Sequence, residues 1–169
     1  MSQYPSYELQ RETYLEWREY LLHFPWEWLA TLTLEDGMQY FPALHKFKKW
    51  RHRLIKREKI RVGAYLFSAY RRGHIHFHVL MLGQNRFGKT LLDCSPKYWE
   101  SEWKKCVRRI EPVTNLYGAC DYVALHFMGF KSDFTDVESF DKTLLRQAMH
   151  RHCGFIDNFD GLRCLEDSD

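Results

Sequence analysis

Three histidines recur at every second residue in the segment Gly73-His74-Ile75-His76-Phe77-His78-Val79-Leu80. On a β-strand successive side chains alternate faces, so His74, His76 and His78 point one way and Ile75, Phe77 and Val79 the other. Strand neighbours two residues apart have Cα atoms roughly 6.6 Å apart, a spacing from which two imidazoles converge on one ion. His74 and His78 stand about 13 Å apart on a regular strand, too far for all three to share a metal. Two of the three are therefore expected to bind. The plainer alternative is a row of polar side chains on the exposed face of a sheet. A second group of polar side chains lies in Asn115 to Phe130, where Tyr117 and Tyr122 stand five residues apart and His126 follows Tyr122 at i+4. The third feature is charge. From Leu44 to Arg72 there are eleven Lys or Arg and one acid, Glu58, a local balance of +10 on a chain whose net charge is +3. Lys46, Lys48, Lys49, Arg53, Lys56 and Arg57, with the Arg71-Arg72 turn, are candidates to contact a phosphate backbone. Trp50, in the same stretch, would either stack on a base or pack in the core beside Leu54.

Elements to position these groups follow from periodicity. Tyr14, Trp17, Tyr20 and Leu21 recur at helical spacing over Tyr7 to Leu22. Trp26 to Leu34 reads as a buried strand closed by Glu35-Asp36-Gly37. The basic stretch carries Leu44, Phe47, Leu54 and Ile55 on one face and is expected to be helical from Pro42 to about Lys59. Arg61 to Tyr70 and His74 to Leu82 are strands joined so tightly that they must be antiparallel. A helix is expected from Pro96 to about Cys106, a strand at Val107 to Val113, helix over Asn115 to Phe130, and a last helix from about Glu138 to His150. Within Asn115 to Phe130, a buried stripe of Leu116, Cys120, Val123 and Phe127 puts Tyr122 and His126 on one flank and Tyr117 beside Asp121 on the other. The order βαββαβα predicts an α+β fold: an antiparallel sheet of four to five strands with helices packed on it, ferredoxin-like or RRM-like.

The chain has 169 residues, 45% hydrophobic and 28% charged, which suits one folded domain and disfavours disorder. The expected layout is an N-terminal helix over 1–23, a core over 24–131 and a helical extension over 132–169. Cys94, Cys106, Cys120, Cys153 and Cys164 are odd in number and irregularly spaced, which predicts free thiols in a reducing compartment. No apolar run reaches the length of a membrane span and no signal-like start is visible, so the expected location is the cytoplasm, away from membranes.

The segment IHFHVL resembles the His-hydrophobic-His motif of the HUH endonuclease superfamily, and its surroundings are similar to the single-tyrosine, replication-initiator (Rep) branch. WLATLTL resembles the family's first motif, and YGACDYVALHF its Tyr-x-x-Lys helix; the likeness covers roughly Trp26 to Lys131. The resemblance implies a DNA-nicking and joining endonuclease that starts rolling-circle replication at a single-stranded origin, with a host helicase or polymerase as partner. It implies a divalent cofactor, Mn2+ or Mg2+ (Zn2+ being compatible with the same donors), held by His76 and His78, and Tyr122 as nucleophile. Two departures are visible. Family members take a further ligand from the preceding strand, yet Arg61 to Arg72 has no acid, so His74 and Glu35 are the candidates to add a ligand. Leu125 stands where the motif has Lys, and His126, one residue later, is the nearest polar side chain, a candidate to orient the phosphate or move a proton.

Two other classes fit parts of the pattern. An HUH transposase or relaxase would use the same histidines, the relaxase with a tyrosine ahead of the His strand, at Tyr4, Tyr7, Tyr14 or Tyr20. A non-catalytic nucleic-acid-binding domain on an RRM-like sheet would show strand aromatics in place of the His row.

Overall fold

The computed structural model describes residues 6–71, 74–103, 108–128 and 135–153. Helix α1 (Tyr7–Leu22) starts where the Ser6 hydroxyl accepts from the Leu9 amide at 3.2 Å. It is followed by β1 (Trp28–Thr33), α2 (Tyr40–Glu58), β2 (Arg61–Arg71), β3 (His74–Gln84), α3 (Pro96–Glu102), β4 (Arg108–Pro112), α4 (Leu116–Ala124), β5 (Thr135–Phe140) and α5 (Lys142–Cys153). Short 3-10 turns at Leu91–Asp93 and Leu125–Met128 precede α3 and extend α4.

The five strands form one sheet in the order β4-β1-β3-β2-β5, every neighbouring pair antiparallel. The architecture is α+β, an antiparallel sheet with helices packed against it. The histidine strand β3 is the middle strand. It pairs with β2 from Arg71↔His74 to Arg61↔Gln84, as the short connection requires. Arg72 and Gly73 lie outside the described residues, as do Tyr4, Cys106, Lys131 and Cys164.

Alternation along β3 divides the molecule into two layers. Ile75, Phe77, Val79 and Met81 face a cluster built from α2 and α3, with Phe47, Trp50, Leu54, Trp99 and Trp103 buried in it. Leu80 and Leu82 belong to a second cluster on the other face, with Phe67 of β2 and buried residues of α1, α4 and α5. His74, His76 and His78 share the second face by parity. Much of the large aromatic complement is spent here: Trp17, Tyr20, Phe24, Tyr65, Phe67 and Phe127 contact one another with ring centroids 5.3–6.5 Å apart.

One element differs from expectation. The segment around Glu138, expected to begin the last helix, is the edge strand β5, with Phe67↔Val137 and Ala64↔Phe140 in register. Val137 packs into one layer and Phe140 into the other, the alternation a strand requires. Asp141 then ends the strand with φ 54°, and its carboxylate accepts from Leu144 N at 3.1 Å, so α5 starts at Lys142. The strong helical spacing of Leu144, Leu145 and Ala148 masks this short strand in the sequence.

Trp50 belongs to the core. It is 1% exposed, its indole N–H donates to Trp99 O at 3.1 Å, and it meets Trp99 and Trp103 edge-on. Trp50→Ala is expected to lower stability by about 3–5 kcal/mol, read as a shift of the urea midpoint at constant slope. A midpoint unchanged from wild type would remove Trp50 from the core.

Candidate active site

The central strand presents its histidines to threonines of β1. Register places Thr31 opposite His78 and Thr33 opposite His76. The Thr33 hydroxyl lies 3.1 Å from His76 Nδ1, and the Thr31 hydroxyl 3.5 Å from His78 Nδ1. When such a hydroxyl accepts, the imidazole proton sits on Nδ1 and the lone pair on Nε2, the tautomer in which histidine ligates a metal. His78 is buried and His76 half-buried.

Helix α4 brings the third part. Asn115 caps it by accepting from Gly118 N at 2.9 Å, and Ala119, Cys120, Val123 and Ala124 face the core. Burial pushes the Cys120 thiol up to about 12, so it rests as a neutral core side chain. The Tyr122 ring stands edge-on to His78 with centroids 5.4 Å apart, and to His126 at 5.7 Å. His126 lies against His78 at 4.1 Å, the two planes 37° apart. Its Nδ1 is 3.1 Å from Val123 O, and a carbonyl only accepts, so the proton is on Nδ1.

His126 thus sits beside Tyr122, as their four-residue spacing predicts, but is itself buried. The reason is local. After Ala124 the helix tightens to 3-10 geometry over Leu125–Met128, where each residue turns about 120° rather than about 100°. That extra rotation carries His126 inward and leaves Tyr122, 38% exposed, at the rim.

The opposite flank of α4 is taken by α1. Tyr14 donates a short hydrogen bond to Asp121, and the Arg18 guanidinium covers the Tyr14 and Tyr117 rings at 5.4 and 5.3 Å. The bond to the Asp121 carboxylate and burial both push the Tyr14 phenol up, and the Arg18 charge offsets them only in part. Tyr20 shares a 2.7 Å hydrogen bond with the Tyr65 hydroxyl. Tyr117 and Tyr122 thus lie on opposite flanks, and it is Tyr122 whose ring meets the histidine strand.

The candidate additional ligands are engaged elsewhere. His74 Nδ1 is 2.9 Å from the Asp36 carboxylate, and Glu35 lies 3.7 Å from Lys46. Ser68, on the strand beside β3, hydrogen-bonds the backbone of Asp136. Among the described residues no group of three or more His, Cys, Asp or Glu gathers to hold an ion. His76 and His78 are the two imidazoles of β3 whose Nδ1 atoms face threonine hydroxyls of β1.

The basic residues do not surround this site. Helix α2 covers the face of the sheet opposite Tyr122, and some of its cations serve the fold. Arg53 donates to Glu102 O at 3.2 Å, Arg57 to the Tyr98 hydroxyl at 2.7 Å, and Lys46 lies 5.2 Å from the Trp103 ring centre. Lys48, Lys49 and Lys56 are exposed. Arg71 ends β2 opposite His74.

Thr31 and Thr33 escaped the sequence reading, although their two-residue spacing on β1 matches that of His76 and His78 on β3.

No protein-family model matches the chain, and no curated protein matches it. Among solved structures it is similar to the crystal structure of the hypothetical protein ORF119 from Sulfolobus islandicus rod-shaped virus 1. The TM-score is 0.42 and the identity 13%, over 73% of this chain and 96% of that one.

Proposed function

We propose that the chain is a metal-dependent, site-specific single-stranded DNA endonuclease and strand transferase that initiates rolling-circle replication through a 5′-phosphotyrosine on Tyr122. The observation that carries this reading is the edge-on placement of the Tyr122 ring against His78, on the central strand that also bears His76. A phenol next to an imidazole that could hold a divalent ion supports transfer of a phosphodiester to tyrosine.

His76 and His78 would hold the divalent ion. When bound, the ion neutralises charge on the phosphoryl oxygens. The chain's own residues do the rest. Tyr122 gives up its proton to water and its oxygen bonds to phosphorus, while the bond from phosphorus to the 3′-oxygen breaks and that oxygen is protonated. The phosphodiester is conserved, so attack by another 3′-hydroxyl reverses the step and rejoins the strand without a nucleotide cofactor. Thr31 and Thr33 hold the two imidazoles through Nδ1. His126, against His78, limits how that ring turns and acts as a positioning residue. The substrate is single-stranded DNA at an origin, and strand separation falls to a host helicase.

The test is incubation of the full chain with single-stranded oligonucleotides carrying origin sequence, in Mn2+ or Mg2+. A slowly migrating band on a denaturing gel, with the modified peptide mapped to Tyr122, is the expected outcome. Absence of any adduct with every divalent ion, alongside intact binding, would turn the chain into a binding module.

A further inference from the structure

We infer that the outer face of α2 is a second single-stranded DNA track, on the side of the sheet away from Tyr122, built from Phe41, His45, Lys48, Lys49, His52 and Lys56. These six recur at three- and four-residue spacing and form one stripe along the helix. All six are exposed, whereas Ala43, Leu44, Phe47, Trp50 and Leu54 hold the helix to the sheet. The stripe alternates rings with cations: Phe41, 79% exposed, then His45, two lysines, His52 and a lysine.

Three physical arguments support a nucleic-acid strand here. Among the described residues no acid forms an ion pair with Lys48, Lys49 or Lys56, so their charge is uncompensated by the fold. His45, Lys48, Lys49, His52 and Arg53 together line a shallow depression. Cations interleaved with flat rings suit a single strand, whose bases stack while its phosphates meet lysines. A duplex hides its base faces and would leave Phe41 without a role.

Position links the stripe to the proposed nicking centre. Thr33, the register partner of His76, ends β1, and only six residues separate it from the first residue of α2. The Phe41 end of the stripe therefore lies towards the end of the sheet where β3 begins. A strand leaving His76 past the Glu35–Gly37 turn would reach Phe41 and then run about 22 Å to Lys56. Only the identity of the strand as DNA rests on the nicking reading.

Binding of labelled oligothymidylate of about 8 and about 25 nucleotides, followed by fluorescence anisotropy against KCl, tests this in the full chain. The wild type should gain tenfold or more in affinity with the longer strand. In K48E/K49E/K56E that gain should fall below about threefold, and the log–log salt slope should be shallower by about 2. Phe41→Ala should weaken the longer strand about fivefold or more with the slope unchanged, because stacking releases no ions. Circular dichroism should report the same fold for these surface variants. An unchanged length gain in the triple variant overturns the track, and a 25-base-pair duplex that competes as well as the single strand overturns its assignment to single strands. A wild type that binds with the expected length gain yet forms no adduct on oligonucleotides carrying origin sequence overturns the nicking reading alone.

Discussion

Tyr122→Phe is expected to leave single-stranded DNA affinity within about twofold of wild type and to eliminate the covalent protein–DNA adduct. The substitution removes one oxygen. The ring remains, and with it the edge-on contacts to His78 at 5.4 Å and His126 at 5.7 Å, so the packing of α4 against β3 survives. At 38% exposure the lost hydroxyl leaves no dry cavity. A change in chemistry without a change in fold is therefore the outcome, and thermal unfolding should agree within a degree or two. Affinity should persist because it rests on lysine and arginine contacts to phosphate. Loss of the nucleophile allows no partial activity through the same intermediate, so no adduct should form in any divalent ion. Tyr117→Phe should keep cleavage, since Tyr117 lies under the Arg18 guanidinium on the far flank of α4. The readout is the slow band on a denaturing gel, with mass spectrometry of the modified peptide. An adduct on Tyr117 would reverse the assignment of flanks. One on Tyr4, Tyr7, Tyr14 or Tyr20 would move the chain to the relaxases.

His76→Ala and His78→Ala should each lower cleavage by on the order of 10³-fold, the scale expected when an ion that neutralises phosphoryl charge loses one of two protein donors. DNA affinity should stay within about threefold. The two variants differ in stability. His78 is buried and stacks on His126 at 4.1 Å, so its truncation opens a cavity and costs about 2 kcal/mol. His76 is half-buried and its truncation costs less, which makes His76→Ala the cleaner test. Thr33→Val, which deletes the hydroxyl 3.1 Å from His76 Nδ1 at nearly constant volume, should raise the metal concentration needed for half-maximal cleavage by about tenfold or more. His74→Ala should retain cleavage, because its imidazole is held by Asp36 at 2.9 Å. Cleavage assays across a Mn2+ and Mg2+ titration, with a chelator control, provide the measurement. If His74 alone proved essential, the ligand pair would be misassigned.

Asp141 illustrates how much of the scaffold was legible in the sequence and how much was not. The two-residue period of β3 and the turn that binds it to β2 were readable, because both depend on residues close in sequence. Strand β5 was not, since TDVESF becomes a strand only by pairing with β2 and burying Val137 and Phe140 in opposite layers. The Asp141 cap and its pairing with Arg61 at 2.6 Å complete a boundary that the neighbouring helical pattern hides.

For the candidate site, local periodicity determined which side chains share a face: three histidines on β3, Tyr122 apart from Tyr117 on α4, and a basic stripe opposite an apolar one on α2. It did not determine which face of the sheet each helix would cover. That choice follows from the strand order β4-β1-β3-β2-β5, set by pairings between residues far apart in the chain, and it puts α4 beside the histidines and α2 behind them. The same holds for the burial of His126, although its place beside Tyr122 follows from their four-residue spacing. Only the tightened turn after Ala124, packed against β3, carries it inward onto His78. Face-sharing is a property of neighbours in sequence. Juxtaposition comes from burying distant apolar surfaces against each other, and no single segment contains that information.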